Sequence, residues 1–232
     1  MGPGDAPVCS WSTVGSPGLV LGRLAVGPAI DREAVAAEGV AVVRRSSGGG
    51  PVLWDRDLLA LDVALPRGHP LAGEDVVDAY RWLGEAIADA LRAVGVADVR
   101  VIGVAEARAA RARPGPAADA CFGGLSPYEV LAGGRKVVGL SQARRRPGTL
   151  LQAGIPLAFD ARRLARLMGR DEAFAAGLAE TAAGVGASAP GVTADAVVAA
   201  VDDAVRARAG VELGEGDLRE GERAALDALL TA

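Results

Sequence analysis

Between residues 74 and 94 the apolar side chains Val76, Tyr80, Leu83, Ile87, Leu91 and Val94 recur at three- and four-residue steps, the period of one buried helical face. A stripe of this kind needs an apolar surface to cover, and the neighbouring sequence offers strands. Short β-type runs occur at 18–21, 40–43, 58–65 and 99–102, each bounded by Gly, Pro or charged residues. A short helix is expected over 31–38, with Asp31 as its cap and Gly39 as its stop. Strands return at 129–131, 136–138 and 149–151, separated by the turns Gly133-Gly134 and Pro147-Gly148, which makes an antiparallel meander. Helical sequence follows at 161–168, 172–178, 193–209 and about 217–230, the last including Glu222, with 183–191 as a small-residue loop. Strands first and helices last, with one long helix early, predict an α+β fold.

Half of the 232 residues are hydrophobic, enough to bury a continuous core without disulfides or metals. One domain over 8–230 is expected, with 1–7 as a flexible N-terminus. The net charge of -4 argues against nucleic acid, whose sequence-independent affinity depends on many Lys and Arg displacing phosphate counterions. Basic residues cluster locally instead, at Arg44-Arg45, at Arg108, Arg111 and Arg113, and at Arg144-Arg145-Arg146, suited to a small phosphorylated ligand or an acidic protein surface. The N-terminus lacks the basic start and apolar core of a secretory signal, and no run of roughly 18 apolar residues predicts a membrane span. A soluble cytoplasmic protein is expected. Cys9, Cys121 and His69 are the complete Cys and His complement, so neither a zinc site nor a His-based triad is expected, and no metal ligands are assigned. His69, between Gly68 and Pro70, reads as part of a surface turn.

Two motifs carry chemistry. Arg44-Arg45-Ser46-Ser47-Gly48-Gly49-Gly50-Pro51-Val52 follows a strand. Adjacent glycines remove the Cβ atoms that hold a ligand off the main chain and permit positive φ; such a turn can cradle a ligand or simply close a hairpin. It is neither a Walker loop nor a dinucleotide fingerprint, because no Lys-Ser/Thr follows and no helix opens. The second motif is Gly134-Arg135-Lys136-Val137-Val138-Gly139-Leu140-Ser141-Gln142, which holds the sole lysine of the chain. A compact ammonium on a strand flanked by glycines can face a developing negative charge.

In this order, the two segments resemble the signatures of the lipoate-protein ligase A family, whose catalytic domain is shared with biotin-protein ligases and octanoyltransferases. Cys121-Phe122 through Ser126-Pro127-Tyr128-Glu129, then Leu150-Leu151-Gln152-Ala153-Gly154, and the run ending Leu218-Arg219-Glu220-Gly221-Glu222 are similar to further family segments. The resemblance implies a class II synthetase-like domain: a mixed, largely antiparallel sheet flanked by helices, with a helical C-terminal segment. It implies lipoate or octanoate in an apolar tunnel, activated with ATP and Mg²⁺ as an acyl-adenylate and passed to a lysine of a lipoyl carrier domain, in a 2-oxoacid dehydrogenase or the glycine cleavage system. Carried over, Lys136 binds the acyl carbonyl and phosphate oxygens. Arg45, Ser47, Gly48, Gly49, Gly50, Val52, Gly139 and Ser141 line the acyl-adenylate pocket.

Some positions depart from the family pattern. Trp54-Asp55 stands where a His-Asp pair is common, Arg56-Asp57-Leu58 replaces an Asn-Leu element, and Ala153 replaces the histidine of Leu-Gln-His-Gly. A helix that usually precedes the first strand is not expected here. One octanoyltransferase branch uses a cysteine in a Cys-Phe segment as nucleophile, with an acyl carrier protein as donor and no ATP; Cys121 matches that position. Ligation through an adenylate is the leading expectation and transfer through Cys121 the alternative. A third reading, motivated by Trp54 and Ala153, is a protein that binds lipoate or a lipoyl domain without turnover.

Overall fold

The computed structural model describes residues 5–23, 30–217 and 220–224. Strand β1 covers Val8–Ser12, and β5 covers Leu58–Pro66. The later strands are β6 (Val99–Val101), β7 (Val130–Ala132), β8 (Arg135–Arg145) and β9 (Gly148–Pro156). They form one sheet in the order β1-β5-β9-β8-β7-β6, antiparallel at every junction. Gly133 and Gly134, with φ of 55° and 78°, make the β7–β8 hairpin turn, where only a residue without a Cβ enters left-handed backbone freely.

Strand β5 is apolar on both faces because both faces are covered. Leu59, Leu61, Val63 and Leu65 join the core beneath helix α2 (Arg81–Ala93). Leu58, Ala60 and Asp62, one residue out of phase, line a cavity on the other side. Leu83, Ile87 and Leu91 of α2 pack into the first core together with Val197, Val201 and Val205 of helix α6 (Ala194–Ala209). Trp11 Nε1 donates to Asp202 Oδ1 at 2.9 Å, fastening edge strand β1 to α6.

A smaller sheet covers the cavity side. Its strands are β2 (Gly18–Leu21), β3 (Ala41–Arg44) and β4 (Val52–Trp54), in the order β3-β2-β4. The β2–β3 pair is parallel, and the crossover between them contains α1 (Arg32–Ala37), capped by Asp31 accepting from Ala34 N at 2.9 Å. A second core joins Leu19, Val20 and Leu21 to helices α4 (Ala161–Leu167) and α5 (Glu172–Thr181) and to the segment around Phe122. The mixed, mainly antiparallel α+β architecture agrees with the expectation.

Local differences have identifiable causes. The helix expected over 74–94 begins as an α-helix only at Arg81. Asp75 Oδ1 accepts from Val77 N and Asp78 N, both at 2.7 Å, forming a turn. Arg144 donates to the carbonyls of Ala72, Gly73, Glu74 and Asp75, and Gln142 to that of Val76. The carbonyls of Ala72, Gly73, Glu74 and Val76 are thereby engaged by side chains of β8, while that of Asp75 also accepts from Ala79 N at 3.1 Å, and Val76 stays 54% exposed. Helix α3 (Val104–Ala112) escaped the periodicity reading because Ala107 is its only buried residue. Strands β1 and β4 were not expected: both are short, and β4 follows directly on the glycine motif. Of the final helix read over 217–230, residues 220–224 are helical, and 218–219 and 225–230 lie outside the described residues.

Gly84 marks the tightest contact of α2. An exposed helical Gly→Ala change gains up to about 1 kcal/mol. At Gly84, however, a Cβ would stand 2.1 Å from the Tyr128 carbonyl oxygen. Gly84→Ala should therefore lower the unfolding free energy by about 1–3 kcal/mol, read from urea denaturation; a raised midpoint would contradict this packing.

Candidate active site

Backbone register creates the cavity by leaving side chains out. Ala60 on β5 pairs with Gly154 on β9, which pairs with Gly139 on β8, so three adjacent strands present a row with almost no side chain. The roof is Val20, Val43, Val52 and Trp54 of the small sheet, and Leu58 and Phe122 complete an apolar compartment of about 270 Å³. The next rung toward β3 is polar: Asp62 pairs with Gln152, and Gln152 with Ser141. Ser141 Oγ meets Ser47 Oγ at 3.3 Å. Arg44, Arg45 and Cys121 line the cavity as well, giving it an apolar body and a polar end.

The glycine turn packs against the turn that carries Cys121. A Cβ on Gly50 would lie 2.2 Å from Asp119 O and 2.7 Å from Cys121 N, and one on Gly22 would lie 1.9 Å from Gly49 O. Gly49 has φ of 103°. The guanidinium of Arg45 holds the turn from within, donating to Gly48 O at 2.8 Å, Gly50 O at 3.0 Å and Val20 O at 3.3 Å, and it reaches Cys121 Sγ at 3.8 Å. Cys121 N in turn donates to Pro51 O at 2.9 Å. The thiol is free and half-buried.

Lys136 lies behind Phe122, 5.1 Å from the ring centroid. Only 1% of it is exposed, and it does not line the cavity. Its ammonium has three N–H bonds and three close acceptors: Cys121 O at 2.8 Å, Gly124 O at 3.1 Å and Glu129 Oε1 at 2.7 Å. Glu129, 2% exposed, also accepts from Ser126 N at 2.8 Å and Leu140 N at 3.2 Å. Burial pushes its carboxyl up, with Lys136 and the two amides pulling the other way. Lysine and glutamate together pin the backbone of the Cys121 turn to β8.

Asp62 differs from Glu129 in having no cation. Gln152 Nε2 donates to its Oδ1 at 2.8 Å, and burial raises its carboxyl above the ordinary value while that hydrogen bond lowers it. Among the described residues, Gln152 Oε1 is the one buried side-chain polar atom without a partner.

Comparison with known proteins decides the ancestry of this arrangement. Residues 4–206 match the lipoyl protein ligase A/B catalytic domain. The chain belongs to that family. An octanoyltransferase LipM from an Exiguobacterium strain is 36% identical over 132 residues, covering 56% of this chain and 47% of the relative. The chain thus spans about half the length of the curated relatives it matches. A crystal structure of lipoate-protein ligase A bound with ATP superposes with a TM-score of 0.78 at 20% identity, over 100% of this chain and 84% of that one. A bipartite lipoate protein ligase from Thermoplasma acidophilum, studied with its E2 lipoyl domain, gives 0.77 at 21% identity, over 98% and 81%. At such identities the superpositions establish the fold.

Within this lipoyl ligase-type fold, the residues nominated from sequence divide in two. Arg45, Val52, Cys121, Gly139 and Ser141 line the cavity; Ser47, Gly48, Gly49, Gly50 and Lys136 do not, although Gly50 and Lys136 pack against or bond to the Cys121 turn that does. Asp62, Trp54 and Ala60 line it without having been nominated as site residues. Asp62 carried a signal, being the lone charge in the apolar run Leu58–Pro66. No helix among the described residues is long and apolar enough to cross a membrane.

Two predictions follow from the charges. Lys136→Met should cost about 3–5 kcal/mol by leaving Glu129 buried and unpaired. Adding Glu129→Leu should recover part of that loss, the carbonyls of Cys121 and Gly124 remaining unpaired; chemical denaturation of the four proteins closes the cycle. For Asp62 the raised carboxyl sets the sign: its contribution to stability is complete below the ordinary carboxylate range and is lost as pH rises through the raised value. Asp62→Asn should therefore melt higher than the parent at neutral pH, with the gap closing as pH falls into the carboxylate range. A gap that widens on acidification would reverse the assignment.

Proposed function

We propose that this protein is an acyltransferase of protein lipoylation that carries a medium-chain acyl group, octanoyl in the first instance, as a thioester on Cys121. The observation that carries this reading is the position of Cys121 Sγ on the wall of an apolar cavity, at its polar end and 3.8 Å from the Arg45 guanidinium. The alkyl chain would lie along the Ala60–Gly154–Gly139 row, where burial of each CH₂ is worth about 0.8 kcal/mol, with its carbonyl among the polar groups.

In the first half-reaction the Cys121 thiolate attacks the thioester of an acyl carrier protein; a carbon–sulfur bond forms to Cys121 and the donor leaves as thiolate. In the second, a lysine amine of a lipoyl carrier domain attacks the enzyme thioester, the amide forms and Cys121 departs. Lys136 acts as a positioning residue through the Cys121 carbonyl.

The ligase reading placed first from sequence is less well supported. Lys136, which it assigns to the acyl carbonyl and phosphate oxygens, is occupied by three acceptors within the protein, and Arg45, which it places in the pocket lining, by three carbonyls. Relatives that match in sequence are named octanoyltransferases, which supports acyl transfer; the structural neighbour studied with its E2 lipoyl domain supports such a domain as acceptor.

Incubation with octanoyl acyl carrier protein, without ATP, should add one octanoyl group to the protein by intact mass, discharged by an unmodified lipoyl domain. Cys121→Ala should abolish the adduct and slow transfer by roughly three orders of magnitude or more. Lipoate- and ATP-dependent modification surviving in that variant would restore the ligase reading. Tight ligand binding with no product from either donor would mark a binding protein.

A further inference from the structure

The second half-reaction poses a problem that the first does not. A lysine side chain arrives as an ammonium, and only the neutral amine attacks a thioester, so a group at the cavity must accept a proton. The segment around Gln152 has Ala153 in place of an imidazole, and His69 is engaged elsewhere, its Nδ1 accepting from Leu71 N at 3.3 Å. Lys136 and Arg45 have no proton-accepting capacity in their charged forms. Among the described residues, Asp62 is the one carboxyl that lines the cavity.

Its surroundings suit the task. On β9, Gln152 Nε2 holds Oδ1 at 2.8 Å and fixes the carboxyl's orientation. Oδ2 has no partner among the described residues and is not shut away, since Gln152 Oε1 is the only buried polar side-chain atom found without one. On β1, the residue opposite Asp62 is Ser10, while Cys9, near Asp202, packs with the core on the other face. Across the cavity stand Arg44, Arg45 and Cys121. Arg45 is spent on the glycine turn and Val20, and Arg44 donates to the carbonyls of Gly22 and Arg23. No ion pair among the described residues neutralises Asp62, so the cavity offers an incoming cation an uncompensated carboxylate, on the same polar rung as Ser141. Asp62 and Cys121 line the same cavity.

We propose that Asp62 is the catalytic base of the transfer step, receiving the ammonium of the acceptor lysine through Oδ2 and taking its proton as the amine attacks the Cys121 thioester. The nitrogen–carbon bond forms, the carbon–sulfur bond breaks, and the electron pair stays with Cys121 sulfur. Of the two protons lost by the ammonium, Asp62 takes the first and the departing thiolate the second; both return to solvent before the next cycle. Burial favours the protonated carboxyl and so makes Asp62 a stronger base than an exposed aspartate. This inference rests on the acyl-Cys121 reading above.

The test uses the full chain and its Asp62→Asn variant, each first acylated on Cys121 by octanoyl acyl carrier protein and then mixed with an unmodified lipoyl domain or with hydroxylamine, a nucleophile uncharged at neutral pH. Asp62→Asn should slow single-turnover discharge to the lipoyl domain by about a hundredfold or more at neutral pH. Its discharge by hydroxylamine should match the parent, and the defect should shrink at alkaline pH as the lysine deprotonates unaided. Equal slowing with both nucleophiles would reduce Asp62 to a structural residue, and unchanged discharge to the lipoyl domain would also overturn the proposal. Failure of the parent protein to form acyl-Cys121 at all would remove the acyltransferase reading and this inference with it.

Discussion

The buried pair of Lys136 and Glu129 is the contact on which the rest of the site depends. An ammonium and a carboxylate removed from water are costly unless each remaining hydrogen-bonding position is filled. Here they are filled by backbone: Lys136 by the carbonyls of Cys121 and Gly124, Glu129 by the amides of Ser126 and Leu140. One ion pair thereby joins the Cys121 turn to β8 and to the segment that leads into β7. The Cys121 turn gains a fixed place against β8, and with it the sulfur gains a fixed place on the cavity wall.

The cavity results from small residues meeting across strands. Ala60, Gly154 and Gly139 lie in register on β5, β9 and β8, and any two larger side chains there would fill the space. The glycines of the 48–50 turn act differently. Gly50 permits approach of protein to protein, its missing Cβ leaving room for the carbonyl of Asp119. Glycines read from sequence as making way for a ligand thus divide into those that open a compartment and those that close its wall.

Apolar body and polar end match the two parts of a medium-chain acyl thioester. The family includes proteins named octanoyltransferases, and the fold is shared with a lipoate-protein ligase A bound with ATP, so fold alone does not choose the chemistry. The choice falls to individual side chains: a free thiol at the polar end, a lysine engaged by three internal acceptors, and an aspartate without a cation. Each is a statement about neighbours, and neighbours separated by many residues in the chain.

From sequence alone came the α+β class, the Asp31-capped helix, the β7–β8–β9 meander and the choice of Lys136, Arg45 and Cys121 as candidates, because periodicity, caps, turns and motif order are local properties of a chain. Where local rules were overridden, the cause was distant. Arg144 and Gln142 took the carbonyls of 72–76 and delayed α2, although the apolar period ran through Val76. Burial and pairing belonged to tertiary structure entirely. Asp62 is the single charge of β5 and Lys136 one of four in β8, and read along the chain neither shows whether it meets a partner. Folding gave the lysine a glutamate and three acceptors behind Phe122, and left the aspartate facing the cavity with one amide, because strand register decides which face each residue occupies and what it meets there.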